Sequence, residues 1–307
     1  LTSFSEGVLL DVDTHVSGSN GAIIFQADSS FSSLEAQAIN GINVNANITT
    51  TTGAISLNGD SDSGIDSLDP QDNITFASGI SLNSATSISL SAITGGMTAT
   101  AGLTLTAPTS ITTTGNLTAA GIVALTANSG ITLNGGITTS SGNLNIDANS
   151  SLLALGSGIT LSSAGALTIS ASNTTSAGAL VLTSTGSTVN VDNSLVSQGA
   201  VTMTANSGLT LSNSMLTATG NISLQGGSSL SLASGMSISG GNITLGGSTI
   251  TANNGSLTLN STGSITASNS LTSVTTASLT ASSGISLVGL SANGTASLNS
   301  GTGTTTI

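Results

Sequence analysis

Aliphatic residues recur two positions apart along this chain, in short groups that follow a glycine. Gly178 opens GALVLTSTGSTVNVDNSLVSQ, Gly199 opens GAVTMTANSGLTLSNSMLTAT and Gly220 opens GNISLQGGSSLSLASGMSISG, each 21 residues long. Leu180 and Leu182, Val201 and Met203, and Ile222 and Leu224 form the first pair in each unit. Val189 and Val191, Leu209 and Leu211, and Leu230 and Leu232 form a second, and a looser third closes the unit, as in Met236 and Ile238. A period of two marks strands with one buried face. A helix needs apolar residues three and four apart, and Gly, Ser, Thr and Asn are poor helix formers. Glycine and asparagine between the groups suit the positive-φ bends of tight corners. The pattern therefore predicts an all-β fold, a parallel β-helix or β-solenoid with about three short strands per roughly 20-residue turn. By itself the pattern suits either hand.

The unit recurs with drift. Gly121 to Ser141 gives a further 21 residues, and 142–177 and 241–276 each hold two glycine-led starts, Gly142 and Gly165, then Gly241 and Gly255. Two turns fit each of these segments without a fixed register, and 14 or 15 turns are expected over the 307 residues. Residues 77–307 read as regular repeats. Residues 1–76 differ: they hold Phe4, Phe25, Phe31 and Phe76, the single histidine and ten of the twelve acids. Strand patterns persist there in GAIIF (21–25), GINVNANI (41–48) and GAISL (53–57). This stretch reads as decorated turns of the same solenoid, with a distinct N-terminal cap as the alternative. The chain stops in mid-pattern at GTGTTTI, so it is expected to be a segment of a longer polypeptide or to stack end to end.

Composition narrows the function classes. There is no lysine, arginine or cysteine, and the formal net charge is −12. Phosphate backbones and anionic membranes are bound through lysine and arginine, so neither nucleic acid nor a membrane surface is an expected partner. No apolar run approaches the ~18 residues of a spanning helix, and no signal peptide is visible at the start. Only 4% of residues are charged, yet 37% are hydrophobic. That is enough aliphatic surface for a repeat architecture to bury evenly. In-register stacking would set like charges above one another, which accounts for a neutral Ser, Thr and Asn exterior. A chain without basic residues also offers trypsin-like proteases nowhere to cut, as suits life outside the cell.

GNISL, GAVTMTANSGLTL and GNITL, with ITTTTGAISLNGDSDSG at 48–64, resemble the β-helical repeats of filamentous-haemagglutinin-like exoproteins. These are surface proteins exported by two-partner secretion; autotransporter passenger domains are similar. The resemblance spans nearly the whole chain and rests on a structural repeat. It implies a right-handed parallel β-helix, export to the cell surface, and a role in adhesion, aggregation or biofilm. Self-association, or contact with neighbouring segments of the same long chain, is the expected partnership. Host or neighbour cell-surface glycans are the alternative, bound along one face.

Candidate chemistry is sparse. In DSDSGIDSLDPQDN (60–73), Asp60, Asp62 and Asp66 superficially suggest a calcium loop. Gly64 takes the place of a third ligand, however, and no glutamate closes the loop. The favoured reading is a solvated turn that Pro70 and the acids keep out of the sheet. His15, after Asp11 and Asp13, lacks a second nitrogen or sulfur ligand and reads as a surface residue. Paired carboxylates for polysaccharide cleavage would need basic and aromatic partners, and 73–307 hold only Asp147 and Asp192 as acids. No catalytic, cofactor or metal residue is assigned, and the chain is not expected to be an enzyme. Asn47-Ile48-Thr49, Asn116-Leu117-Thr118 and Asn242-Ile243-Thr244 match the glycosylation triplet, as any chain so rich in Asn and Thr must. Threonine runs at Thr49–Thr52 and Thr112–Thr114 raise the idea of an ice-binding face, against which the threonines are expected to wander in register.

Overall fold

The computed structural model describes residues 7–12, 22–62, 72–212 and 215–307. Among the described residues there is no helix, and parallel strands stack as a β-solenoid of about 13 turns with roughly 21 residues per turn. Each turn contributes one strand to each of three parallel ladders, which we call its sides. Two compact units divide between Ala154 and Leu155.

In the first unit, the first side stacks Ile23–Phe25, Ile42–Val44, Asn73–Phe76, Gly96–Ala99, Leu117–Ala119 and Ile137–Thr139. Leu103–Ala107, Val123–Ala127 and Leu144–Asp147 stack on the second side. Ile55–Asn58, Ile88–Ser91, Ile111–Thr114 and Ile131–Leu133 stack on the third. Alternation decides the facing: Leu103, Leu105 and Ala107 are buried while Thr104 and Thr106 are exposed. Equivalent positions fill the core by complementary size. Phe76, fully buried, stacks between Val44 and Ala99 of the neighbouring turns.

The second unit repeats the scheme. Leu180, Val201 and Ile222 stack on its first side at the 21-residue step, followed by Ile243, Ile265 and Ile285. Val189, Leu209 and Leu230 stack on the second side, and Leu216 and Ile238 on the third. The three aliphatic pairs of the sequence repeat are thus the buried residues of three sides.

Two details depart from the sequence reading. There are about 13 turns and not 14 or 15, partly because Ile42 pairs with Ile74, a step of 32 residues. Glycine-led starts also do not share one side. Gly121 and Gly142 lead Val123 and Leu144 on the second side of the first unit, whereas Gly178, Gly199 and Gly220 lead the first side of the second unit. The register of 241–276 is fixed by Thr249–Ser261, a 13-residue strand spanning two sides. It pairs with both Ser229–Leu232 and Met236–Gly240, and Gly255 lies within it.

Candidate functional site

The corners carry most of the side-chain hydrogen bonding. Asn47 Oδ1 accepts the backbone N–H of Ser81 at 2.8 Å, Asn116 Oδ1 that of Gly136 at 2.8 Å, and Asn242 Oδ1 that of Ser264 at 2.9 Å. Each asparagine stands just before a strand whose first residue, Ile48, Leu117 or Ile243, is buried and whose next, a threonine, faces out. The Asn-x-Thr triplets are therefore a corner followed by a strand start. Buried hydroxyls brace other corners. Thr139 Oγ1 donates to Gly142 O at 2.6 Å, Ser163 Oγ to Ala166 O at 3.0 Å and Ser184 Oγ to Gly165 O at 2.6 Å.

The acids do not lie as the sequence suggests. Asp60 is only 1% exposed, and so is Asp72, just before Asn73–Phe76. Both are thus set into the corner, which corrects their reading as parts of a solvated turn. Asp60 Oδ2 accepts both the N–H and the Oγ1–H of Thr94, at 2.8 and 2.7 Å. Asp62 is exposed and Asp11 lies exposed on Gly7–Val12. Asp13, His15, Gly64, Asp66 and Pro70 lie outside the described residues. Sequence reasoning missed Asn40 and Asp72. The signal was that both stand two residues before stacked isoleucines, Ile42 and Ile74. Among the described residues, no three His, Cys, Asp or Glu side chains gather where they could hold a metal.

The outer surface has shallow grooves. One of about 540 Å³ in the first unit is lined by Asp28, Ser30, Asn47, Thr49, Ser81 and Asn83. Another of about 400 Å³ in the second is floored by Gly226, Gly227 and Gly247, with Gln225 and Asn269 beside them. Neither groups acids or presents an aromatic ring. Phe25 and Phe31 are buried and meet edge to face, with ring centroids 6.4 Å apart.

The threonines wander less than expected in the first unit. Thr75, Thr98, Thr118 and Thr138 stack in register along its first side. The outward positions before them are Asn73, Gly96, Asn116 and Gly136. The threonines thus form a single file, without the second column that a two-dimensional lattice match would need.

No helix among the described residues is long and apolar enough to cross a membrane. The chain matches no family model, no curated protein and no solved structure.

Proposed function

We propose that this chain is a structural and adhesive element of an extracellular or cell-surface fibre. It would act as a stiff, protease-resistant stalk that associates with itself or with neighbouring segments of the same long chain. The observation that carries this reading is the pairing of aliphatic ladders inside each unit with a Ser-, Thr-, Asn- and Gly-rich exterior that offers no lysine or arginine. Such a surface suits lateral contact, and the reading assigns it no catalytic role. Stacked turns gain stability from their neighbours, so that opening one turn exposes the cores of two others. The resemblance to filamentous-haemagglutinin-like repeats supports adhesion, aggregation and matrix formation as the roles to test.

The test uses cells that produce the protein natively. An antibody raised against the purified chain should label unpermeabilised cells in filaments or patches, and deletion of the coding region should reduce cell aggregation. The purified chain should resist thermolysin and proteinase K for hours. Antigen seen only after lysis, together with rapid digestion, would overturn the proposal.

The groove at Asp28, Asn47 and Asn83 favours a second reading, a glycan-binding face. Its side chains offer donors and acceptors on successive turns, about 4.8 Å apart along the stack. Glycan-array binding that is lost in Asp28→Ala/Asn83→Ala would support it, and an unchanged profile would remove it.

A further inference from the structure

The carboxylate of Asp60 is buried at a corner of the stack, and the sequence has no lysine or arginine to pair with it. Asn40 and Asp72 occupy the same register position in successive turns, each two residues ahead of the paired Ile42 and Ile74. Gly95 holds that position in the next turn, ahead of Met97, and its N–H donates to the carbonyl of Asp72 at 3.1 Å. Asp60 follows the strand Ile55–Asn58. Gly59, just before it, lies so close to Asn73 that an added Cβ would strike the Asn73 carbonyl. The carboxylate of Asp60 reaches Thr94, the neighbour of Gly95. Asp60 through its carboxylate and Asp72 through its backbone carbonyl therefore meet the consecutive residues Thr94 and Gly95, with Asn40 in the turn on the other side.

Two oxygens at this corner are buried without a hydrogen-bond partner, Asp60 Oδ1 and Asn40 Oδ1. Asp60 is 1% exposed and Asn40 4%. A buried polar atom left unmatched costs about 1–3 kcal/mol, and a buried charge more. Proteins meet that cost with a paired charge, and this sequence has no lysine or arginine. Two carboxylates and an amide oxygen, with backbone carbonyls nearby, are instead an oxygen-only set of hard ligands. Calcium accepts such sets in irregular geometry, whereas magnesium demands a near-octahedral shell and keeps its waters.

We propose that Asn40, Asp60 and Asp72 form a calcium site that ties this corner of the stack together. Asp60 would use Oδ2 to hold Thr94 and Oδ1 to hold the ion. Binding would link two successive turns through one ion, with the Asp60–Thr94 hydrogen bonds carrying the tie to a third, and would give Asp60 Oδ1 and Asn40 Oδ1 a shared partner.

The experiment uses the full chain, with calcium chloride alone as the probe in equilibrium dialysis. One calcium per chain is expected, together with a thermal midpoint that rises with calcium and falls in EDTA. Asp60→Asn keeps the shape and an acceptor for Thr94 but removes the charge. It should weaken binding by at least about tenfold, the scale on which groups organising a metal site act, and abolish the calcium-dependent shift. Its midpoint in EDTA should equal or exceed that of the unchanged chain. Should Asp60→Asn fail to fold, Asn40→Ala decides the matter: weaker binding supports the site and unchanged binding rejects it. Asp147→Asn, in a different corner, should bind as the unchanged chain does. The proposal fails if no calcium binds up to about 5 mM, beyond the range of extracellular calcium modules. It fails also if magnesium gives the same shift, or if the midpoint in EDTA rises on acidification while calcium has no effect.

Discussion

Asn242 joins three successive turns of the second unit. Its backbone N–H donates to Asn221 Oδ1 at 2.9 Å, and its own Oδ1 accepts the N–H of Ser264 at 2.9 Å. The relay runs along the stack at a corner, where strand pairing lapses and backbone groups would otherwise be left to water. A hydrogen bond of this kind contributes about 0.5–1.5 kcal/mol net. Asn242→Ala should cost about 1 kcal/mol, felt locally because each turn leans mainly on its neighbours. Hydrogen exchange is the suitable measurement. The amides of Ser264 and its flanking residues should lose protection, while those around Leu182 keep theirs.

Glycines divide into two kinds with opposite expectations. A Cβ on Gly220 would lie 2.7 Å from the backbone nitrogen of Ala200, so the corner there is closed by backbone packed on backbone. Gly220→Ala should destabilise by about 1–3 kcal/mol through overpacking. Gly158 has φ +72 with nothing within 4 Å of an added Cβ. Asparagine already adopts this conformation at Asn149 (φ 52) and Asn254 (φ 48), as its short polar side chain allows. Gly158→Asn should therefore stay within about 0.5 kcal/mol of neutral. Denaturant titration of both variants separates the two kinds of glycine.

Buried hydroxyls make a third class of corner. Ser184 is 1% exposed; its Oγ donates to Gly165 O at 2.6 Å and accepts the N–H of Ser187 at 3.1 Å. Ser184→Ala removes both bonds and leaves a half-buried carbonyl and amide to find other partners. The expected cost is about 1–3 kcal/mol, larger than for the exposed asparagine. Denaturation of Ser184→Ala beside Asn242→Ala tests that order.

How far the sequence foretold this structure depended on the kind of interaction. Leu180, Val201 and Ile222 were legible as a stacked column, because burial imposes a period of two within a strand and a near-constant step between turns. Gly121 was misplaced relative to Gly178 because a glycine-led pair looks the same on every side, and only strand pairing says which side it joins. The Asn-x-Thr triplets were visible but had no evident purpose, since the acceptor role of Asn116 needs Gly136 brought beside it. Asp60 was read by its spacing to Asp62 and Asp66. Its burial depends on Thr94, 34 residues away, which no local motif reveals.

The scarcity of charge has a physical reading that one column can test. Thr98 and Thr118 are exposed, and strand pairing sets them directly side by side in neighbouring turns, about 4.8 Å apart by the spacing of paired strands. Thr98→Lys and Thr118→Lys should each change stability by less than about 0.5 kcal/mol, as surface substitutions do. Together they place like charges in direct opposition, and the pair should cost roughly 0.2–1 kcal/mol more than the sum of the singles. Replacing one partner by an acid, Thr98→Glu with Thr118→Lys, should reverse the sign of the coupling. Both couplings should shrink as salt rises from about 0.01 to 1 M, because the screening length falls from about 30 to 3 Å. A double-mutant cycle by denaturant titration at the two salt concentrations measures all of this. A coupling of zero for the lysine pair at low salt would mean that stacking places no penalty on charge at these positions, and the neutral exterior would need a different cause.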